Sequence, residues 1–342
     1  MAEVTHSPSP RVLVTGGTGF LGHTLVPALA AAGVSVRLMV RRPTNVPEAF
    51  QQAAEEVVPG DVLDLPSLEA ALQGCSGVVH AAGVVSFWRR GRRHMLRVNE
   101  QGTANLVDVL MAGTHGFPVE QTRLVHIGST AALGRTKPST GPDHLIGPSH
   151  RFQATRYDSY YALTKYRADK QVFRGIAEGL SAAILSPSVI IGAGPPDRSS
   201  GAMLAAARKS RRYYPIGGNG FVAAHDVAQA ACRLLQSDDF PSGQRFLLNG
   251  ENLSYEAFFR LVAEREGFPA PKHGMPSSWV RLGGRAFGLL HRLTGLKGPL
   301  SPETARNLNH TWRYDGSSGQ SLLGQPYTPI SETLRHLTPA FK

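Results

Sequence analysis

The sequence of 342 residues predicts an α/β protein, a doubly wound parallel sheet with a smaller C-terminal region that would bind a substrate. Three observations carry this expectation. Short apolar runs of strand length alternate with amphipathic runs of helical length from Arg11 to Leu185. A glycine-rich turn joins the first apolar run to the first amphipathic one. The alternation then stops near Gly192, where Pro195-Pro196 breaks the pattern.

Taken in order, Arg11 to Thr15 reads as a short buried strand and Leu21 to Ala32 as a helix ended by Gly33. Val34 to Val40 is a second strand, which completes a βαβ unit of the size a parallel crossover needs. Val57-Val58 leads to Gly60-Asp61, Leu65 to Leu72 is helical, Gly77 to His80 is a strand and Val98 to Leu110 a helix. The strand Leu124 to Ile127, a long helix Tyr160 to Ala177 and the strand Ser181 to Leu185 complete the series. Strands separated by helices of this length imply parallel pairing. Residues 11–192 are therefore expected to form a dinucleotide-binding domain. Residues 193–342 read as a patchwork of short helices forming mainly a substrate region, with 220–250 returning to the sheet through the strand Gln244 to Leu248.

Composition supports a globular chain. Hydrophobic residues make up 42% and charged residues 18%, too apolar a balance for general disorder. The polar, Pro-rich residues 1–10 are the exception and read as a disordered tail. Only Cys75 and Cys232 are present, far apart, which excludes a disulfide framework and a CxxC metal site and fits a reducing, cytoplasmic setting. No signal-peptide run opens the chain and no stretch of 18 apolar residues occurs. None of the 13 histidines forms an HxxxH or HExxH pattern, so no metal is expected. The net charge of +11 raises nucleic acid, anionic membrane or an acidic ligand as partners, but the basic residues are dispersed and no nucleic-acid motif accompanies them.

The turn Thr15-Gly16-Gly17-Thr18-Gly19-Phe20-Leu21-Gly22 lies where a strand ends and a helix begins. Gly16 would allow the tight turn, Gly19 would let backbone amides close on a pyrophosphate, and Gly22 would let helix and strand pack closely. Unpaired amides and the helix dipole favour an anion there. This is the cofactor turn of a Rossmann-type sheet, with Thr18, Phe20 and Leu21 among its contacts. An acidic side chain at the end of the second strand would bind ribose hydroxyls, yet this sequence has Arg41 and Arg42. A guanidinium suits a phosphate, which favours NADP(H), with NAD(H) still possible; two solvated arginines on a turn would look the same. Asp61 could accept from an adenine amino group, as could any turn aspartate.

Tyr161 and Lys165 are four residues apart on one predicted helix and project from the same face. An unperturbed phenol has a pKa of about 10, so Tyr161 needs positive charge nearby to exchange protons near neutrality. Lys165 and an oxidised nicotinamide would supply it. Tyr161 could then pass a proton to or from a substrate oxygen while hydride moves at the adjacent carbon.

From Arg11 to about Gly250 the chain resembles the short-chain dehydrogenase/reductase family in its extended branch. The TGxxGxxG loop is Thr15 to Gly22, YxxxK is Tyr161 to Lys165, the acidic residue with its valine is Asp61-Val62, and the small-residue turn is Ala81-Ala82-Gly83 after His80. By this resemblance Ser129 polarises the substrate oxygen, with Thr130 as the fallback, and Asn99 lies near the cofactor and Lys165. The stretch Leu185 to Gly192, including Pro187 and Val189, passes beside the nicotinamide, and Phe221 to Ala228 matches a later strand-to-helix element. Ser186 stands where many relatives carry arginine, and Gly128 replaces a frequent serine. Within the branch, the arginine-ended second strand and the segment Gly243 to Ser254 are similar to dihydroflavonol-reductase-like and hydroxysteroid-dehydrogenase-like proteins. The resemblance implies a reductase or dehydrogenase acting on a small carbonyl or alcohol. The competing implications are an epimerase or dehydratase of nucleotide sugars that retains NAD, and, outside catalysis, an NADP-binding redox sensor.

Two segments stand apart. Phe87-Trp88-Arg89-Arg90-Gly91-Arg92-Arg93 would open near the nicotinamide end of the cleft, its aromatics packing a ring-bearing substrate and its arginines mostly solvated. Trp279, Leu282, Ala286, Leu289, Leu290, Leu293 and Leu296 form an apolar stripe at helical spacing, with Arg281, Arg285, Arg292 and Lys297 around it. Core packing or a substrate lid is the ordinary expectation; peripheral membrane contact is the sharper one. The helices Val98 to Leu110 and Tyr160 to Ala177 could also pair across a two-fold axis in a homodimer.

Overall fold

The computed structural model describes residues 11–135, 145–195, 201–296 and 300–337. The tail 1–10, Pro196 and Lys297 lie outside the described residues. In chain order the strands are β1 (Arg11–Thr15), β2 (Ser35–Val40), β3 (Glu56–Pro59), β4 (Cys75–His80), β5 (Arg123–Ile127) and β6 (Ser181–Pro187). They continue with β7 (Val189–Ile191), β8 (Tyr213–Tyr214), β9 (Gly218–Ala223), β10 (Arg245–Leu248), β11 (Glu251–Ser254) and β12 (His273–Gly274). The helices are α1 (Gly22–Ala31), α2 (Glu48–Ala53), α3 (Leu65–Leu72), α4 (Arg92–Leu96), α5 (Gly102–Met111), α6 (Tyr160–Ala177) and α7 (Gly201–Lys209). After them come α8 (Ala224–Gln236), α9 (Tyr255–Glu266), α10 (Ser277–Thr294), α11 (Pro302–Asn307), α12 (Ser317–Leu323) and α13 (Ile330–Arg335).

Seven strands form one parallel sheet in the order β10-β6-β5-β4-β1-β2-β3. Successive side chains of a strand face opposite sides, and β1 shows the result. Val12 and Val14 join a core with Leu25 and Leu29 of α1 and Val227 of α8, whereas Leu13 joins the opposite core with Leu68 of α3, Leu106 of α5 and Val172 of α6. Both faces are covered, which is why these strands read as continuous apolar runs. The chain leaves β1 toward β2 and β3, then returns past β1 to β4. The crevice beyond the β1 and β4 ends is thus the topological switch point, where ligands of such sheets bind.

The helix expected over Val98 to Leu110 starts earlier and is interrupted: α4, one π-helical turn at Arg97–Gln101 and α5 follow one another. A π turn inserts one residue without changing the apolar pattern on either side, so periodicity does not report it.

The region after Gly192 is more regular than a patchwork of short helices, since α8, α9 and α10 have 13, 12 and 18 residues. Nor does all of 220–250 return to the large sheet. Strand β9 pairs with β7 and β11 in a separate three-stranded sheet, packed on α9 and α13 through Phe221, Phe258 and Ile330. Only α8 and β10 rejoin the large layer. The end of the chain also returns to it: Leu323 of α12 sits in the core beside Leu248, and Asp226 of α8 accepts from both the amide and the hydroxyl of Thr328 at 2.9 and 2.7 Å.

Candidate active site

Gly16 adopts φ +72°, and a Cβ there would lie 2.5 Å from the Ala81 carbonyl carbon and the Ala82 nitrogen. Backbone freedom and close approach both require glycine. A Cβ at Gly22 would fall 1.7 Å from the Gly17 carbonyl oxygen, so this residue closes the turn on itself as α1 starts. Gly19 differs: a Cβ would meet only the Gly16 oxygen, at 3.0 Å. Protein packing demands little of that position, and a ligand lying on the turn is what a side chain would displace. Phe20 and Leu21 are buried under the turn, and α1 begins without a side-chain cap or an acidic residue in its first turn. That is a suitable seat for an anion.

The facing wall is tied to β1 by polar contacts. Thr15 Oγ1 lies 2.7 Å from His80 Nδ1 and accepts from the Ala82 amide at 3.3 Å, while His80 Nε2 contacts Thr103 Oγ1 at 3.0 Å. His80 is fully buried; burial, then the charges of His126 and Lys165, push its pKa well below the usual imidazole value, so it is neutral. The turn Ala81 to Gly83 is thereby held opposite the glycine loop. Arg41 and Arg42 lie exposed just beyond β2, and neither enters an ion pair among the described residues. Asp61 Oδ1 accepts from the Leu63 amide at 3.0 Å, the turn role that sequence left open, and Val62 is core.

Helix α6 carries Tyr161 and Lys165, and its Ser159 cap accepts from the Ala162 amide at 3.1 Å. Lys165 is buried, and its Nζ donates to the Ile127 carbonyl at the end of β5 at 2.8 Å. Ser129 lies two residues beyond that carbonyl, near enough to the Tyr161 hydroxyl to lower its pKa. Its own Oγ also accepts from the Ala131 amide at 3.2 Å, capping the turn that buries Thr130. The structure thus brings Ser129, Tyr161 and Lys165 together. The electrostatics depart from expectation: burial outweighs every other influence on Tyr161 and raises it to about 12, against the lowering effect of Ser129. Lys165 falls to about 8, chiefly through burial, with Asp169 opposing.

Asn99 sits in the π turn and is buried. Its Oδ1 accepts from the Val84 amide at 2.7 Å, and its Nδ2 donates to the Val84 carbonyl at 3.0 Å and to Thr164 Oγ1 at 2.9 Å. Thr164 in turn donates to the Tyr161 carbonyl at 2.8 Å. Asn99 therefore locks the loop after Gly83 to the first turn of α6. Pro187 and Val189 bracket Ser188 at the β6–β7 junction, and the buried Ser188 hydroxyl has no hydrogen-bond partner among the described residues. A buried orphan hydroxyl beside a cleft suits a polar ligand. With the open position at Gly19, it makes these residues fit a dinucleotide.

Sequence reading missed the cluster beneath Lys165. Asp169, one turn further along the same face of α6, is buried and accepts from Arg245 Nη2 of β10 at 2.7 Å. His126 Nε2 lies 3.3 Å from its other oxygen; burial keeps that imidazole neutral, so the ionic partner is Arg245. Extending the four-residue spacing from Tyr161 and Lys165 points to Asp169. Gly128 is explained here too: a Cβ would stand 3.2 Å from Asp169 Oδ1 and 3.1 Å from Ile184 Cγ2.

In the 87–93 loop Arg89, Arg90 and Arg93 are exposed, as expected, and Arg92 is the exception. The Phe87 ring meets the Tyr161 ring edge-on with centroids 6.2 Å apart, and Trp88 packs on His291 of α10 at 4.6 Å. Arg92 pairs with the buried Glu303 of α11 and lies over the Tyr160 ring at 5.0 Å. Glu303 also accepts from the Tyr160 amide, at 3.3 Å.

Comparison with known proteins agrees with this geometry. The model of the NAD dependent epimerase/dehydratase family matches residues 12–248. Sterol demethylase protein B of Methylococcus capsulatus is 31% identical over 268 residues, 77% of each chain. The 3 beta-hydroxysteroid dehydrogenase/Delta 5-->4-isomerase of Mycobacterium tuberculosis is 27% identical, covering 96% of this chain and 88% of the relative. Among solved structures, UDP-glucuronic acid 4-epimerase from Bacillus cereus, in complex with UDP-glucuronic acid and NAD, superposes with a TM-score of 0.68 over 95% of this chain and 96% of its own, a likeness of fold at 18% identity. The chain belongs to the NAD dependent epimerase/dehydratase family and is an enzyme of the extended short-chain dehydrogenase/reductase type.

Proposed function

We propose that this enzyme uses NADP(H) to reduce the carbonyl, or oxidise the alcohol, of a ring-bearing apolar substrate. The observation that carries the reading is the aromatic wall at Tyr161. Phe87 meets its ring edge-on, so a substrate oxygen reaching the phenol passes an aromatic side chain. Such a mouth suits a flat apolar ring. The sterol and steroid named for two relatives are of that kind. Arg41 and Arg42, where an acid would exclude a phosphate, support NADP(H) over NAD(H). The two buried, unpaired cysteines accord with a cytoplasmic site of action.

In reduction Tyr161 donates its proton to the substrate oxygen while Ser129 hydrogen-bonds the same oxygen. A bound nicotinamide supplies the hydride. Bringing Tyr161 from about 12 toward neutrality requires preferential stabilisation of the phenolate, about 1.4 kcal/mol per unit. Lys165, held by the Ile127 carbonyl, contributes a fixed positive charge, and the oxidised ring contributes another. Asn99 keeps the substrate-side loop and α6 in register.

The test is a binding titration with NADPH and NADH, followed by a screen of ring ketones that monitors cofactor oxidation. Tighter NADPH binding and turnover lost in Tyr161→Phe are expected. Stoichiometric NAD released on denaturing the purified protein would instead mark a nucleotide-sugar epimerase or dehydratase. NADPH binding without turnover of any ketone screened, in wild type and Tyr161→Phe alike, would favour a redox sensor.

A further inference from the structure

The apolar stripe of α10 does not face the core. Val280, Gly284 and His291 form the buried side of this helix, and it packs on α11 through two glycines, since a Cβ at Gly284 or Gly288 would lie 2.5 Å from Ala305 Cβ or 2.6 Å from Pro302 Cγ. At about 100° per residue, Leu289, Leu282, Leu293, Ala286, Trp279 and Leu290 occupy one sector on the far side. Leu282, Leu289 and Leu293 are 68, 58 and 75% exposed. Arg281, Arg285 and Arg292 border the sector and are also exposed. Helix α10 contains no Asp or Glu. A second copy meeting this face would set arginine against arginine, whereas anionic headgroups would neutralise it. No helix among the described residues is long and apolar enough to cross a membrane, so α10 can lie on a bilayer and not through it.

The buried side of the helix, opposite the leucines, is linked to the Tyr161 region. Arg90 Nη2 donates to the Arg292 carbonyl at 3.2 Å, Trp88 packs on His291, and the neighbouring Phe87 meets Tyr161. One short loop joins the exposed helix to the reacting phenol.

We propose that α10 is a peripheral docking element for the surface of an anionic lipid bilayer. Its leucine face lies among the acyl chains and Arg281, Arg285 and Arg292 lie at the headgroup phosphates.

The experiment is co-sedimentation of the full chain with vesicles of equal parts phosphatidylcholine and phosphatidylglycerol, beside vesicles of phosphatidylcholine alone, at low and moderate salt. Binding to the anionic vesicles that weakens with salt is expected. The triple variant Arg281→Gln, Arg285→Gln, Arg292→Gln should lose roughly 100-fold in affinity, at about 1 kcal/mol per charge. Leu282→Glu, Leu289→Glu, Leu293→Glu should abolish binding while circular dichroism and the NADPH titration stay at wild-type values. The arginine series decides the matter if the glutamate variant misfolds. Wild-type protein left in the supernatant with anionic vesicles overturns the proposal, as does a concentration-dependent dimer that the glutamate variant breaks without any vesicle binding. An enzyme that binds vesicles yet fails to bind NADPH would overturn the cofactor assignment and leave docking intact.

Discussion

Arg245 donates to Asp169 Oδ2 at 2.7 Å, which ties the edge strand of the large sheet to the helix that presents Tyr161 and Lys165. The contact lies one helical turn below Lys165, where Asp169 is the charge that opposes the fall of the lysine's pKa. Asp169→Asn therefore has two expected effects. Arg245 loses its partner in a largely buried place, costing about 3–5 kcal/mol in denaturant unfolding. Lys165 loses its nearest anion, so its titration moves below about 8 and the alkaline limb of the rate profile moves with it. A large stability loss with an unmoved limb would confine Asp169 to a structural role.

The two shifted groups of the site give opposite pH signatures. In the free enzyme Tyr161, at about 12, stays protonated through the assay range, so the alkaline limb of kcat/KM belongs to Lys165. Carbonyl reduction is expected to decline as pH rises through about 8. Stability runs the other way, because the unfolded chain binds the lysine proton up to about 10.5 and the folded chain only to about 8. The contribution of Lys165 to stability is thus lowest below 8 and grows from 8 to 10.5. Comparing wild type with Lys165→Met by urea unfolding at several pH values isolates it; a difference independent of pH would contradict the assignment.

Gly19 and Gly22 should respond differently to alanine. At Gly22 the methyl group would lie 1.7 Å from the Gly17 oxygen, so Gly22→Ala should fail to fold or melt far below wild type. Gly19→Ala should fold, with one tight contact at 3.0 Å, and lose at least about tenfold in NADPH affinity through the methyl group placed under the pyrophosphate. Thermal melts with cofactor titrations separate the two.

Arg41→Ala should weaken NADPH binding by roughly 10- to 100-fold, the range of a lost charge-assisted hydrogen bond, and leave NADH binding unchanged. Equal losses for both cofactors would place Arg41 on a shared part of the ligand.

Much of this molecule was legible before its structure. The boundaries of α6 and the succession of the first six strands along the chain follow from patterns that local physics enforces: a serine cap before an amphipathic run, and apolar segments too short for helices. The glycines of the Thr15–Gly22 turn were legible for the same reason, since Gly16 carries the positive φ of the turn and Gly22 closes on Gly17 within it. Residues that answer to distant partners were not. His80 reaches Thr15 and Thr103, and His126 reaches Asp169, across separate strands and helices. Periodicity showed that the α10 leucines share a face but not what the face meets. The small residues Gly284 and Gly288 marked the packed side instead, which became readable only with α11 in place.

The double engagement of Glu303 sets an asymmetry of tolerance. This one carboxylate answers both the guanidinium of Arg92 and the amide that opens the helix of Tyr161. Arg92 is partly exposed and can be solvated when its acid is lost, whereas the buried Glu303 would keep an unpaired charge when its base is lost. In the drift of related sequences, position 303 should therefore be free to lose its charge first, with position 92 following only afterwards.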